Sequence, residues 1–317
     1  MSKAVPVSIT LFSTTAETEF SSENCIWFRF EKEEYTPYTY LSAVFLAESP
    51  ITSDIASVKF FVNSKNIHYG LIERLENTRS DKGWLLKIIS KGFTSLLTQN
   101  QITPGLKNNV SLNSLMTEFI QFPNITYENN STTVNYIFVK QYSTFWDAVT
   151  NLCYKLNSSY PYISGTNQIT FSLPSSPKNI TLEDDKCISC GKVVEYSKII
   201  SDIHMQDING NYNSYNLTDT DAKARNIVRH KHIDLDRQYL NSPDDALDYR
   251  RNLSYRGWYS FFAETPFYQD CDLNDKIKIV SLSQTDYMNI NKIVITGNQY
   301  AITTKVFAYQ DKYCNKT

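Results

Sequence analysis

Apolar and polar side chains alternate with a period of two in the first hundred residues, which is the spacing of strands with one buried face. Four segments either alternate in this way or form short apolar runs between polar stretches: 5–11, 26–31, 43–46 and 58–62. In the second of these the alternation predicts that Ile26, Phe28 and Phe30 face the interior. Several short strands at this spacing favour a β-barrel or a β-sandwich.

A β-hairpin is predicted where Leu71–Leu75 passes through a polar turn at 78–83 and returns as Trp84–Ile89. The last part of the chain has a similar layout. Two strands at 291–296 and 300–309 are joined by a tight turn that contains Gly297 and Asn298. The two hairpins are weakly similar in layout. This similarity is compatible with two similar units but does not demonstrate a sequence repeat.

The period changes to that of a helix in the next segment. Apolar residues that share one helical face, with Ser111 as the predicted N-cap, are Leu112, Leu115, Met116, Phe119 and Ile120. A second helix is predicted from Ser143, its expected cap, to Leu156, between strands at 134–140 and 168–173. This order predicts a small α/β unit.

The last third returns to strands, predicted at 193–205 and 276–282. Between them a third helix is predicted near 242–254. Ser242 is a good N-cap, and Pro243 suits the first helical position. Asp244 and Asp245 favour the positive end of the helix dipole.

These elements predict a mainly β protein with a small α/β insertion. Two similar β-barrel domains would flank or enclose the inserted α/β domain. The predicted bounds are 1–96 for the first barrel, 97–176 for the insertion, and 177–317 for the second barrel with its one helix.

Composition changes this interpretation little. Tyrosine (22) and phenylalanine (17) are abundant, which suits β-structure. The 31 basic and 33 acidic residues give a net charge of −2, so no strong field attracts nucleic acid or an anionic membrane. No apolar run resembles a signal peptide or a membrane span, and we expect the chain to be made in a cytoplasm.

Six cysteines are scattered along the chain, at positions 25, 153, 187, 190, 271 and 314. In a reducing compartment most of them should be free thiols. Cys187 and Cys190 form a CxxC motif, whose spacing fits loop thiols, half of a zinc site or a disulfide that stabilises a particle. A complete zinc site needs four ligands, and the histidines nearby do not fit a standard pattern.

Other polar groups carry little specific chemistry. His230 and His232 should lie on one side of a strand, but a metal site would need a third ligand. The acidic pairs 184–185 and 244–245 could in principle serve a glycosidase, although the second pair is better explained as the start of a helix. No hydrolase, nucleotide-binding or metalloprotease motif is present, so no catalytic, cofactor-binding or metal-binding residue is predicted.

An aromatic and basic group lies on or just past the third predicted helix, with two equally good interpretations. It consists of Tyr249, Arg250, Arg251, Tyr255 and Arg256. Arginine and tyrosine are enriched at protein interfaces, which favours a contact with another protein. Composition alone equally favours a solvated helix face.

Several stretches in order resemble the baseplate hub proteins of contractile phages, defective phage particles and R-type bacteriocins, the late-control D and type VI spike N-terminal-like family. The stretches Gly70–Arg74 and Gly83–Leu97 resemble the end of the first barrel. Stretches that follow in the same order are 103–105, 112–120, 142–153 and 161–163, and those resembling the second barrel are 246–255, Phe267 and 272–279. The polar region 207–226 aligns with nothing in that family.

The resemblance implies a structural role in a virion or phage-tail-like particle assembled in the bacterial cytoplasm. Three chains would present six barrels, adapting a six-fold tail tube to a three-fold central spike beside other baseplate proteins. Neither sequence-specific nucleic-acid readout nor a membrane contact is expected. The alternative is a peptidoglycan-binding, LysM-like module at Val139–Ile169. A lysin is disfavoured, because no segment for a hydrolase domain is predicted after the last strand.

Overall fold

The computed structural model describes residues 6–310 except 120, 123, 158, 235–242 and 283–286. It confirms a mainly β fold with a few helices. The first seven strands are β1 Val7–Ser13, β2 Thr18–Ser22, β3 Cys25–Glu33, β4 Tyr40–Ala47, β5 Ile55–Val62, β6 Lys65–Ser80 and β7 Gly83–Gly92. The predicted hairpin is present as β6 and β7, and its strands run further toward the turn than the pattern indicated.

The inward face of β3 differs from the prediction at its beginning. Phe28 and Phe30 are buried as expected, but Ile26 is 45% exposed and Cys25 is buried instead. The pairing register of β3 with β4 shifts between Cys25 and Trp27, so Ile26 is the extra residue of a β-bulge. A bulge reverses the phase of the alternation, which a period-two reading of the sequence cannot detect.

The middle of the chain alternates short helices and strands around its own buried cluster. In order these are α1 Leu96–Gln99, β8 Gly105–Val110, α2 Leu112–Ser114, a π-helical turn Leu115–Phe119, β9 Thr126–Tyr127, β10 Val134–Val139, α3 Phe145–Asn157, β11 Tyr162–Ser164 and β12 Gln168–Thr170. The cluster packs α3 against two small sheets, β8-β10 and β9-β12-β11, and all of its fully buried members lie between Leu97 and Phe171.

Two of the three predicted helix caps lie among the described residues, and they have different outcomes. Ser111 is the N-cap of α2 and forms a capping box with Ser114. For α3 the cap lies one residue later than Ser143. The Thr144 hydroxyl accepts the Asp147 N–H at 3.2 Å, and the Asp147 carboxylate accepts the Thr144 N–H at 2.7 Å. Ile120 lies outside the described residues.

The last third contains β13 Asn179–Leu182, β14 Ser189–Val194, β15 Asp202–Met205, β16 Tyr215–Thr218, α4 Thr220–Ala224, β17 His230–Ile233, α5 Pro243–Trp258, β18 Tyr259–Thr265, β19 Lys276–Ile279, β20 Met288–Gly297 and β21 Ile302–Tyr309. The single strand predicted at 193–205 is wrong, since a 3-10 turn at Tyr196–Lys198 separates β14 from β15. The helix near 242–254 is confirmed as the longer α5. Ser242 and Cys314 lie outside the described residues.

One large sheet joins the two ends of the chain. Its order is β14-β18-β21-β20-β3-β4-β7-β6-β5-β1-β2, with β13 and β19 attached through β20. Strand β3 begins the hairpin β3-β4, and strand β20 begins the last hairpin, β20-β21. These two strands pair antiparallel with each other, from Phe28↔Gly297 to Glu33↔Lys292. The early and late strands therefore share one buried core. We call β1–β7 the first sheet unit, and β13, β14 and β18–β21 the second.

Candidate functional site

Three parts of the chain meet at a buried lysine on β3. Lys32 is 4% exposed and donates to the Gly165 carbonyl at 2.7 Å and to the carboxylate of Asp272. The Gly165 N–H in turn donates to Asp272 Oδ2 at 2.9 Å. Because every charge is paired and hydrogen-bonded, the cost of burying the ammonium is offset. The turn between β11 and β12 is thereby held between the two sheet units.

A second contact fixes the same turn to the first sheet unit. The Asn167 Nδ2 donates to the Tyr69 carbonyl at 2.8 Å. A Cβ atom on Gly92 would lie 3.0 Å from Asn167 Oδ1 and 3.0 Å from Thr39 Oγ1. Glycine at position 92 therefore lets the end of β7 approach the turn closely.

Helix α5 contacts the insertion, the first sheet unit and the second sheet unit. The ring of Tyr249 lies 4.7 Å from that of Tyr154 on α3. The Arg256 guanidinium lies 3.2 Å from the Tyr35 hydroxyl and stacks 4.6 Å over the Tyr309 ring. This aromatic and basic group thus makes contacts within the chain, an arrangement that neither sequence interpretation had included.

A serine–histidine pair inside the first sheet unit has no access to a substrate. His68, Ser90 and Thr39 are all fully buried. The Ser90 hydroxyl donates to the Leu71 carbonyl at 2.7 Å, so it accepts from His68 Nε2 at 2.8 Å. The other ring nitrogen, Nδ1, then accepts from Thr39 at 2.8 Å. Burial lowers the pKa of His68 to about 3, so the imidazole is neutral at pH 7.

Cys190 of the CxxC motif is a free thiol in the structure. Cys187 lies before β14, and Cys190 lies on it opposite Ala263. The Cys190 sulfur contacts the Ser281 hydroxyl at 3.1 Å. Among the described residues, no three histidine, cysteine, aspartate or glutamate side chains surround a common point suitable for a metal ion.

Three of the four histidines lie on one exposed sheet face. In the sheet β16-β15-β17, His204 pairs in register with His232, and Asp202 pairs with His230. The ring centroids of His204 and His230 are 5.4 Å apart, and those of His204 and His232 are 4.8 Å apart. Sequence reasoning placed His230 and His232 together but missed His204, because β15 and β17 are joined by a connection of 24 residues that hides their pairing.

Neither Asp244 nor Asp245 lines either of two surface clefts in the described part of the chain. Asp244 and Asp245 lie in the first turn of α5, as predicted. A cleft of about 420 Å³ between β2 and the loop after β4 has Glu19 and Glu48 as its ionisable lining residues. A second cleft of about 320 Å³ beside the start of α3 is lined by polar and aromatic residues with one lysine and one aspartate.

The segment that suggested a LysM-like module is divided between two sheets. Strand β10 pairs with β8, whereas β12 pairs with β11 and β9. Helix α3 therefore connects two sheets instead of returning to the same one, and the peptidoglycan-binding alternative loses its compact strand–helix–strand unit. No helix in the described part of the chain is long and apolar enough to cross a membrane.

Comparisons with known proteins find similarity in structure only. No protein-family model and no curated protein matches the sequence. A tail protein from Neisseria meningitidis has a TM-score of 0.74 at 10% identity, covering 98% of both chains. A 43 kDa tail protein of prophage MuSo2 from Shewanella oneidensis has a TM-score of 0.76 at 9% identity, covering 97% of this chain and 99% of that one.

A third similar structure is an E. coli component of the type VI secretion system, described as structurally similar to bacteriophage T4 tail proteins. Its TM-score is 0.58 at 8% identity, with 92% of this chain and 75% of that chain covered. The likeness extends through both sheet units and the insertion. At the level of fold it confirms the resemblance drawn from the sequence: this chain has the fold of phage tail and type VI spike-like proteins.

Proposed function

We propose that the chain is a structural baseplate hub protein of a phage tail or a related contractile particle. It would act as a homotrimer that adapts a six-fold tail tube to a three-fold central spike, in contact with other baseplate proteins. The observation that carries this proposal is the whole-chain likeness to the Neisseria tail protein, which leaves 2% of either chain uncovered.

The arrangement of the large sheet supports two similar units per chain. The junction strands β3 and β20 each begin a hairpin, with β4 and β21 as their partners, and they pair antiparallel with each other. Such a junction relates the two hairpins by an approximate two-fold axis. Two related units in each of three chains would give the six similar positions that a six-fold tube requires. The domain bounds 1–96, 97–176 and 177–317 belong to this proposal.

The ends of the sheet offer edges at which pairing could continue into another copy. The hydrogen-bonded path ends at β2 on one side and at β14 on the other. Val193 on β14 is 38% exposed, and Ile188 just before it is 56% exposed. An exposed edge with apolar side chains favours pairing with another chain. We therefore place β14 in the proposed trimer contact.

Light scattering across a concentration series tests this proposal. A species of three times the chain mass of 36.6 kDa is expected at high concentration. A Val193→Asp variant should shift the equilibrium toward monomer, because a charge at an apolar interface is left without a partner. The matched control is Leu173→Asp, since Leu173 is 72% exposed and lies outside the strands.

A second measurement addresses the partners. Purified protein is mixed with the tail tube protein and with the spike protein encoded beside it, and co-elution is followed. Co-elution of the trimer with both proteins would support an adaptor. A protein that stays monomeric at every concentration and with both partners would refute the hub proposal. Enzymatic activity is not part of the proposal.

A further inference from the structure

The turn between β10 and α3 carries an aromatic residue in a strained backbone conformation. The Ser143 N–H donates to the Lys140 carbonyl at 3.2 Å, which closes the turn. Tyr142 is the third residue of this turn and has φ = 68°, whereas φ of Gln141 is negative. This is the pattern of a type II turn, in which the third position is usually glycine. A bulky side chain is strained there, because its Cβ crowds the following carbonyl oxygen.

Packing does not account for a tyrosine at this strained position. Tyr142 is 73% exposed, so its ring adds little to the buried core. In the described part of the chain the ring and its hydroxyl have no hydrogen-bonding, aromatic or cationic partner. Backbone strain of this kind clusters at sites where the side chain is used for binding.

Tyr142 lines a cleft of about 320 Å³ between this turn and the first half of α3. We call it the Tyr142 cleft, and its lining residues include Lys140, Gln141, Tyr142, Ser143, Asp147 and Asn151. Its volume lies at the lower end of the range for small-molecule sites, roughly 300–1,000 Å³. The cleft requires only the turn and α3, so it does not depend on the strand–helix–strand unit that is divided between two sheets.

Polar groups of the cleft have hydrogen-bonding capacity that the chain does not use. Asn151 is 5% exposed, and its Nδ2 makes one long contact, 3.5 Å from the Phe138 carbonyl. Asp147 Oδ2 accepts from the N–H and the hydroxyl of Thr144. No described residue donates to Asn151 Oδ1 or to Asp147 Oδ1. Buried amides are nearly always hydrogen-bonded, so a ligand that brings donors would complete this arrangement.

Charge and shape together favour an uncharged, hydroxyl-rich ligand. Lys140 and Asp147 give the cleft one positive and one negative side chain, so their charges cancel. A single lysine is too little to hold a chain of phosphates. A sugar ring presents C–H groups on one face, which pack on an aromatic ring, and hydroxyl groups at its rim, which both donate and accept. The Tyr142 ring and the polar groups of the cleft match these two features.

We propose that the Tyr142 cleft binds a neutral saccharide. The Tyr142 ring stacks on one face of a sugar unit, and the side chains of Asn151, Asp147 and Lys140 hydrogen-bond its hydroxyl groups. The turn holds the ring in place before the ligand arrives, which lowers the entropy lost on binding. The site lies within one chain, so it is independent of the trimer and goes beyond the proposed hub function.

Saturation-transfer NMR of the full chain with maltotriose, cellotriose and chitotriose tests the site. At least one of these neutral trisaccharides should receive saturation, and a titration then gives its dissociation constant. Tyr142→Gly should weaken binding by about tenfold or more, because it removes the stacking surface. Tyr142→Phe keeps the ring and should bind within about threefold of the wild type. Tyr300→Gly is the matched control and should bind as the wild type does, since Tyr300 is 74% exposed and lies outside the cleft.

Thermal unfolding separates a binding role of Tyr142 from a structural role. Glycine tolerates the positive φ, so Tyr142→Gly should unfold at the same temperature as the wild type or at a higher one. A clearly lower midpoint would show that the ring serves the fold and would overturn the proposal. Three binding results would also overturn it: no saturation of any of the three saccharides, equal binding by Tyr142→Gly, or tighter binding of a short oligothymidylate.

Discussion

Replacing His68 by glutamine should remove a defined part of the pH dependence of stability. In the folded chain burial lowers the pKa of His68 to about 3, compared with 6.5 in a model peptide. Above pH 6.5 the ring is neutral in both states and contributes no pH dependence. Below pH 6.5 the unfolded chain takes up a proton that the folded chain does not bind until about pH 3. Stability therefore falls as the pH falls through this window.

The slope follows from the linkage relation, in which one proton corresponds to about 1.4 kcal/mol per pH unit. Between pH 7 and pH 5 His68 should lower the free energy of unfolding by about 2 kcal/mol. Urea unfolding of the wild type and His68→Gln at pH 7, 6 and 5 measures the difference. Between pH 7 and pH 5 the free energy of unfolding of the variant should fall by about 2 kcal/mol less than that of the wild type, whatever the difference between the two proteins at pH 7.

A Thr39→Val variant is the matched control. It removes the hydroxyl that donates to His68 Nδ1 but leaves the titrating ring in place. It should lower stability by about 1 kcal/mol at every pH without flattening the curve. Parallel curves for the wild type and His68→Gln between pH 7 and 5 would refute the assignment of a buried, neutral imidazole.

Three further predictions concern packing between the parts of the chain. Lys32→Met should cost about 1–3 kcal/mol in urea unfolding because the Asp272 carboxylate loses its partner, and Asp272→Asn in the same chain should recover part of the loss. Gly92→Ala should cost about 1–3 kcal/mol through contacts of the new Cβ with the Asn167 and Thr39 side chains, and Asn167→Ala in the same chain should relieve part of that cost. An unchanged midpoint would contradict the close approach. Cys153 is fully buried, and burial raises its pKa to about 12, so pulsed iodoacetamide labelling read by mass spectrometry should modify it far more slowly than the CxxC cysteines.

The sequence predicted those elements whose pattern is local. The alternation in β1, the helical face of α3 and the acidic start of α5 each depend on neighbours within one or two turns or pleats. The bulge at Ile26 and the split between β14 and β15 were missed because each interrupts a period without a glycine or proline to mark it. The mainly β fold with a short α/β segment thus followed from periodicity, and the likeness to tail proteins came from the order of degenerate motifs.

The junction between the parts could not be predicted in the same way. Lys32 continues the phase that buries Phe28 and Phe30, which was a usable signal for a buried charge. Its partner Asp272 is 240 residues away along the chain. No local sequence pattern relates two residues so far apart, so the ion pair could not be predicted. His68 and Ser90 likewise come together only through the pairing of β6 and β7 in a sheet.

The pairing of β3 with β20 has a consequence for how the chain folds during synthesis. The side-chain hydrogen bond between Lys292 and Glu33 at this junction spans 259 residues. A ribosome adds about 5–20 residues per second, so β3 waits roughly 13–50 s for its partner to be made. Throughout that interval one edge of the first sheet unit stays unpaired, and an unpaired edge invites association with other nascent chains. Because the core joins the two ends of the sequence, the edge of β3 is therefore covered only after β20 has been synthesised.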